Sequence, residues 1–130
     1  MKPLLEHEKA LLKYNHETNA IELIWKQYHD EDTYRLMFSR GVDFLKVYRA
    51  TAWLSDTRNE GEVDSESSDW LHKEIIPKAI SYGLKKIAVV IDQKKYKMSD
   101  VNNLSPITGK EVMQYFDSIE SANEWLKKPK

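Results

Sequence analysis

The run Ala50-Thr51-Ala52-Trp53-Leu54-Ser55-Asp56, followed thirty residues later by Lys86-Ile87-Ala88-Val89-Val90-Ile91-Asp92, decides the fold. The second run is β-branched almost throughout and apolar at consecutive positions, as in a strand covered on both faces. Between them, positions from about Ser67 to Tyr82 follow a helical period, with Leu71, Ile75, Ala79 and Tyr82 near one face. The stretch therefore reads as one strand–helix–strand unit whose two strands lie parallel. Pro77 falls inside the helical pattern and removes a backbone hydrogen bond, so a kink, or a fresh helix start near Ile76, is expected. Gly83 stands where a left-handed C-terminal cap is wanted.

Working outward toward the N-terminus, Asp30-Glu31-Asp32-Thr33 is an acidic helix start. It precedes a stripe of Tyr34, Met37, Phe38, Val42, Leu45 and Tyr48. Gly41 interrupts that stripe, either as a tolerated defect or as a point of close approach to a strand. Leu11 to Tyr14 and Ala20 to Lys26 flank the polar turn Asn15 to Asn19 and read as a β-hairpin, with Ile21, Leu23 and Trp25 on one face. Residues 1–10 are expected to form a poorly ordered arm.

Toward the C-terminus, the stretch from Gln93 to Gly109 carries weak signals: lysines at 94, 95 and 97, and a short helix around Met98 to Leu104. Val112 to Phe116 reads as a last strand. Asp117 to Glu120 has capping-box spacing and introduces a helix carrying Ile119, Ala122, Trp125 and Leu126. The sum is a single α/β domain over residues 1–130. Its sheet is mixed and four- to five-stranded, opens with an antiparallel hairpin and is flanked by helices.

Composition narrows the function classes. The 130 residues are 41% hydrophobic and 32% charged, with a formal net charge of −1. That balance lacks the basic surplus of a nucleic-acid binder. Without cysteine there is no disulfide, no thiolate metal site and no thiol nucleophile. No apolar run is long enough for a membrane span or a signal peptide, so a cytoplasmic location is expected. His7, His16, His29 and His72 have no partner at metal-ligand spacing, and no serine sits in nucleophile-elbow glycines. The four glycines are isolated and form no phosphate loop. No catalytic residue, cofactor or metal is expected, and the chain reads as a non-enzyme.

The residues Trp53-Leu54-Ser55-Asp56-Thr57-Arg58, Trp70-Leu71, Pro77 and Gly83 ahead of Lys86 to Ile91, and Tyr115-Phe116-Asp117 leading to Ala122 and Trp125-Leu126 match a known layout in order and spacing. Over Leu11 to Leu126 the chain resembles the bacterial STAS-like proteins, the SpoIIAA-type anti-sigma-factor antagonists and their STAS/SEC14-like relatives. The resemblance implies binding without catalysis: of a partner protein, such as a kinase-like anti-sigma factor, or of a small apolar ligand. In phospho-regulated members a serine at the start of the helix after the third strand is modified. The matching region here is Asp64-Ser65-Glu66-Ser67-Ser68-Asp69, which has a longer loop and no glycine.

Asp56, Arg58, Asp64, Ser65, Ser67, Ser68 and Asp69 are thus the candidate regulatory or partner-binding residues. Their loop carries Asp56, Glu60, Glu62, Asp64, Glu66 and Asp69 against the single base Arg58. The bland reading is a solvated acidic loop with one serine capping the next helix. Trp53 and Trp70 are the candidate lining of an apolar pocket, against their default reading as core.

Overall fold

A computed structural model of the protein describes residues 2–27, 30–60, 63–92 and 112–128. Its strands are β1 (Lys2–Glu6), β2 (Ala10–Asn15), β3 (Ala20–Trp25), β4 (Ala52–Asp56), β5 (Lys86–Val90) and β6 (Met113–Phe116). They form one six-stranded sheet in the order β1-β2-β3-β4-β5-β6, antiparallel across β1–β2–β3 and parallel from β3 to β6. The fold class is the mixed α/β sheet with an entering hairpin that the sequence implies, but with six strands rather than four to five.

The extra strand is β1, in residues expected to form a poorly ordered arm. Its backbone pairs with β2, and the turn between them closes through His7 N to Ala10 O at 2.8 Å. An edge strand needs only one neighbour and only partial cover. Lys2, Pro3 and Glu6 stay exposed, while Leu4 and Leu5 are half-buried against the core. Pro3 is tolerated because an edge has a side with no ladder to complete.

Helix α1 (Glu31–Tyr48) and the broken helix α2 (Ser65–Trp70)–α3 (Ile76–Ser81) pack on one face of the sheet, and α4 (Ile119–Lys127) on the other. On the α1 face Leu12, Ile21, Leu23, Trp25, Trp53 and Ile87 meet Met37, Phe38, Val42 and Leu45 of α1 and Ile75, Ile76 and Ala79. On the α4 face Ala20, Ala52, Leu54, Ala88 and Val90 meet Ala122 and Leu126. This two-sided cover is why β5 is apolar at consecutive positions.

The α2–α3 break is a single π-helical turn over Leu71–Ile75, and α-helical bonding resumes at Ile76 with Pro77 in its first turn. There the missing amide of Pro77 falls at the junction where bonding leaves the π register, in which Ile76 N donates to Leu71 O, for the α register. Gly83 ends α3 at φ 108°, in the left-handed region that a side chain disfavours.

Asp30 caps α1 by accepting from Thr33 N at 2.8 Å; the Thr33 side chain and that amide hold its carboxyl down at about 2. Helix α4 begins one residue later than the capping-box reading. Ser118 is its cap, accepting from Ser121 N at 3.2 Å, because Asp117 belongs to the turn leaving β6. The expected features of Gln93 to Gly109, including the short helix and the lysine patch, lie outside the described residues. Among the described residues no helix is long and apolar enough to cross a membrane.

Candidate functional site

Parallel strands β3, β4 and β6 all end at one edge of the sheet, and each feeds a helix. The N-termini of α1, α2 and α4, capped by Asp30, Asp64 and Ser118, therefore lie at that edge. Such starts carry partial positive charge, so the chain can place carboxylates there at low cost.

Three exposed acids gather between two of these starts. Carboxylate oxygens of Glu31 from α1 and of Asp64 and Glu66 from α2 lie within 4.8 Å of one another. Arg35 borders the group: its guanidinium is 3.0 Å from Glu31 and 5.1 Å from the centre of the Trp70 ring. The Ser67 side chain and amide lower the Asp64 carboxyl below its ordinary range, with a smaller contribution from Arg35. The bond from the Ser67 amide, at 3.1 Å, is the well-formed one, since Ser67 Oγ has no hydrogen-bond partner among the described residues. Beneath the group, burial raises the Tyr34 hydroxyl, and the charges of Glu60 and Asp64 push it the same way.

The remaining candidates from the loop fall into separate places. Asp56 is a buried end of β4, and Arg58 grips it with Nε at 2.9 Å and Nη2 at 2.7 Å, which raises the Arg58 guanidinium. This pair folds the loop onto the strand end. Ser65 and Asp69 are exposed and Ser68 is half-buried, with its carbonyl 2.8 Å from His72 Nδ1. Ser67 is wholly buried. No serine caps this helix: Asp64 does, its carboxylate accepting from the free amide of Ser67 at 3.1 Å.

The buried Ser67 hydroxyl, without a hydrogen-bond partner among the described residues, makes a clear prediction. An unpaired buried hydroxyl costs about 1–3 kcal/mol, so Ser67→Ala should leave stability unchanged or raise it by roughly 1 kcal/mol. Chemical denaturation of the two proteins checks this, and a clear loss on substitution would mean the hydroxyl has a partner.

The two tryptophans offered as a pocket separate as well. Trp53 lines a cavity of about 60 Å³ with Phe38, Leu71, Ile76, Ile87 and Met113, between α1, the α2–α3 helix and the sheet. Trp70 is not part of that lining. It lies 6.4 Å from Tyr34 under Arg35, beside the acidic group. Position 70 is still in α2, before the π turn, and so faces the helix-start edge rather than the middle of the sheet.

Sequence reading missed Glu31 and Arg35. Glu31 counted only as part of a helix start, and nothing local links it to Asp64 and Glu66. The available signal was topological: helices that follow adjacent parallel strands begin side by side.

No family model matches the sequence, and no curated protein matches it. Among solved structures, the fold is similar to the crystal structure of an uncharacterised protein of the DUF3478 family from Shewanella loihica PV-4. That protein is described as having a SpoIIAA-like fold; the TM-score is 0.57 at 11% identity, covering 97% of this chain and 98% of that one. The described architecture is therefore a SpoIIAA-like α/β fold.

Proposed function

We propose that the protein is a non-enzymatic SpoIIAA-like regulatory domain that binds a partner protein, possessing as its docking surface the acidic edge formed by the starts of α1 and α2. One observation carries this reading: Glu31, Asp64 and Glu66 hold their charges within 4.8 Å on an exposed surface. Like charges held this close repel, and Arg35 together with the helix starts offsets only part of that. An incoming Arg or Lys relieves the rest, so the partner carries a basic docking segment, and binding weakens as salt rises. The half-buried Trp70 supplies an aromatic anchor at the rim, a residue type enriched where binding energy concentrates.

A phosphate is not needed for this docking. Of the three serines only Ser65 is fully open to a kinase, and a phosphate there would add roughly −2 charge between Asp64 and Glu66. The alternative, an apolar ligand, finds apolar walls in the cavity beside Trp53 but little room. Its 60 Å³ is well below the roughly 150 Å³ of an engineered cavity that admits benzene, so no lipid chain fits it as it stands.

The test is affinity capture from the native cell with the wild-type protein and with the double variant Glu31→Lys/Glu66→Lys. Neither residue caps a helix, and both are exposed. A protein retained by the wild type and released by moderate salt, and absent from the variant's eluate, is the expected result. Identical eluates from the two proteins would overturn the reading.

A further inference from the structure

We propose, on the basis of the docking reading above, that Arg35 is a built-in competitor at the acidic edge, displaced by an arginine of the partner's docking segment. Arg35 stands on α1 one turn after Glu31, and its Nη2 lies 3.0 Å from that carboxylate. The central carbon of its guanidinium lies 5.1 Å from the centre of the Trp70 ring, so the same side chain reaches across to α2. A carboxylate beside an indole ring makes a seat for a planar cation, which pairs along its edge and stacks on its face.

Arg35 fills this seat incompletely. A guanidinium carries five N–H donors. Among the described residues Arg35 makes one ion pair, to Glu31, and its Nε is buried without a hydrogen-bond partner. Asp64 feels the Arg35 charge as the least of the influences that hold its carboxyl down. Being tethered to the helix that also carries Glu31, Arg35 meets the acidic group from that side. An arginine arriving from solvent has no such tether, and its donors are free to spread over the exposed carboxylates of Glu31, Asp64 and Glu66.

Arg35 is also held weakly enough to give way. Its side chain is 36% exposed, and its pair with Glu31 is an i,i+4 pair along one helix. Such a pair and an exposed cation–π contact together favour the seated side chain by roughly three- to tenfold. While seated, Arg35 covers Trp70 and sets a like charge in the path of any incoming cation. Removing it therefore strengthens docking. A lysine of the partner answers the carboxylates but has neither the fork nor the flat face, so it gains less from the vacated indole. Support of α1 by the Glu31–Arg35 pair, the purely structural role, carries no effect on an external peptide.

Fluorescein-labelled hexa-arginine and hexa-lysine are the probes, titrated at low ionic strength and followed by fluorescence anisotropy. The proteins are the wild type, Arg35→Gln, and Arg40→Gln, which makes an equal charge change at an exposed position further along α1. Glutamine is a good helix former, so both variants keep the helix. The double variant Glu31→Lys/Glu66→Lys locates the peptide. The expected result is that Arg35→Gln binds hexa-arginine roughly three- to tenfold more tightly than the wild type. Arg40→Gln shows only the small shift of a screened charge, hexa-lysine gains clearly less than hexa-arginine, and the double variant loses binding. No gain in Arg35→Gln, an equal gain in Arg40→Gln, or an equal gain for hexa-lysine overturns the proposal and leaves the docking reading standing. No binding of either peptide by the wild type, or binding fully retained by the double variant, overturns both.

Discussion

Replacing Gly41 with alanine is expected to lower the melting temperature by several degrees, although alanine is the better helix former by about 1 kcal/mol. A Cβ at position 41 would fall inside the van der Waals envelope of Trp53 Cη2, 2.8 Å from Cζ3 and 3.3 Å from Leu12 Cδ2. The indole cannot move aside freely. Its ring stacks on Phe38 at 5.6 Å, and its Nε1 donates to the buried Ser55 Oγ at 2.8 Å. Overpacking a rigid core costs about 1–3 kcal/mol, and a contact this close belongs at the upper end, so the clash outweighs the propensity gain.

Thermal melts of wild type, Gly41→Ala, Trp53→Leu and the double variant decide the point. Trp53→Leu alone opens a cavity and destabilises, yet the same space receives the new methyl group, so the two losses should fall well short of additive. A Gly41→Ala protein that melts at or above the wild type would refute the close approach. The comparison matters beyond stability, because Trp53 also walls the apolar cavity.

What the sequence disclosed follows the strength of burial. Ile87 to Ile91 was legible because a strand covered on both faces must be apolar throughout, and the stripe from Tyr34 to Leu45 because one helix face must be. Strand β1 was not legible, since an edge strand with exposed Lys2, Pro3 and Glu6 satisfies its backbone through β2 without displaying a pattern. The acidic edge was half legible. Asp64 and Glu66 stood out as part of a charged loop, but their juxtaposition with Glu31 arises from two helices beginning side by side. The caps were misjudged for a third reason: Asp64 and Ser118 were each one step from a residue of equal capping ability, and only the chain's exit from the strand selects between them.

Glu22 also escaped notice, because alternation along β3 places it on the face opposite Ile21, Leu23 and Trp25. It is 1% exposed. Its carboxylate accepts from Asn15 Nδ2 at 3.1 Å and faces Lys13 Nζ at 3.8 Å across the β2–β3 register. Lys13→Met should therefore destabilise the protein strongly, by leaving a buried carboxylate with a single neutral donor. Breaking a buried pair costs about 3–5 kcal/mol, and because the Lys13 side chain is 24% exposed, roughly 2 kcal/mol is the fitting expectation. Adding Glu22→Leu to that variant removes the stranded charge and brings an apolar side chain beside Leu54, its neighbour in register on β4. The double variant should then recover most of the loss, since well-packed apolar replacements of buried ion pairs are often neutral or stabilising. Urea denaturation of the single and double variants measures both steps. If Lys13→Met costs nothing, the pair does not neutralise Glu22. If Glu22→Leu fails to restore what Lys13→Met removes, the cost lies in lost packing of the lysine stem rather than in the buried charge.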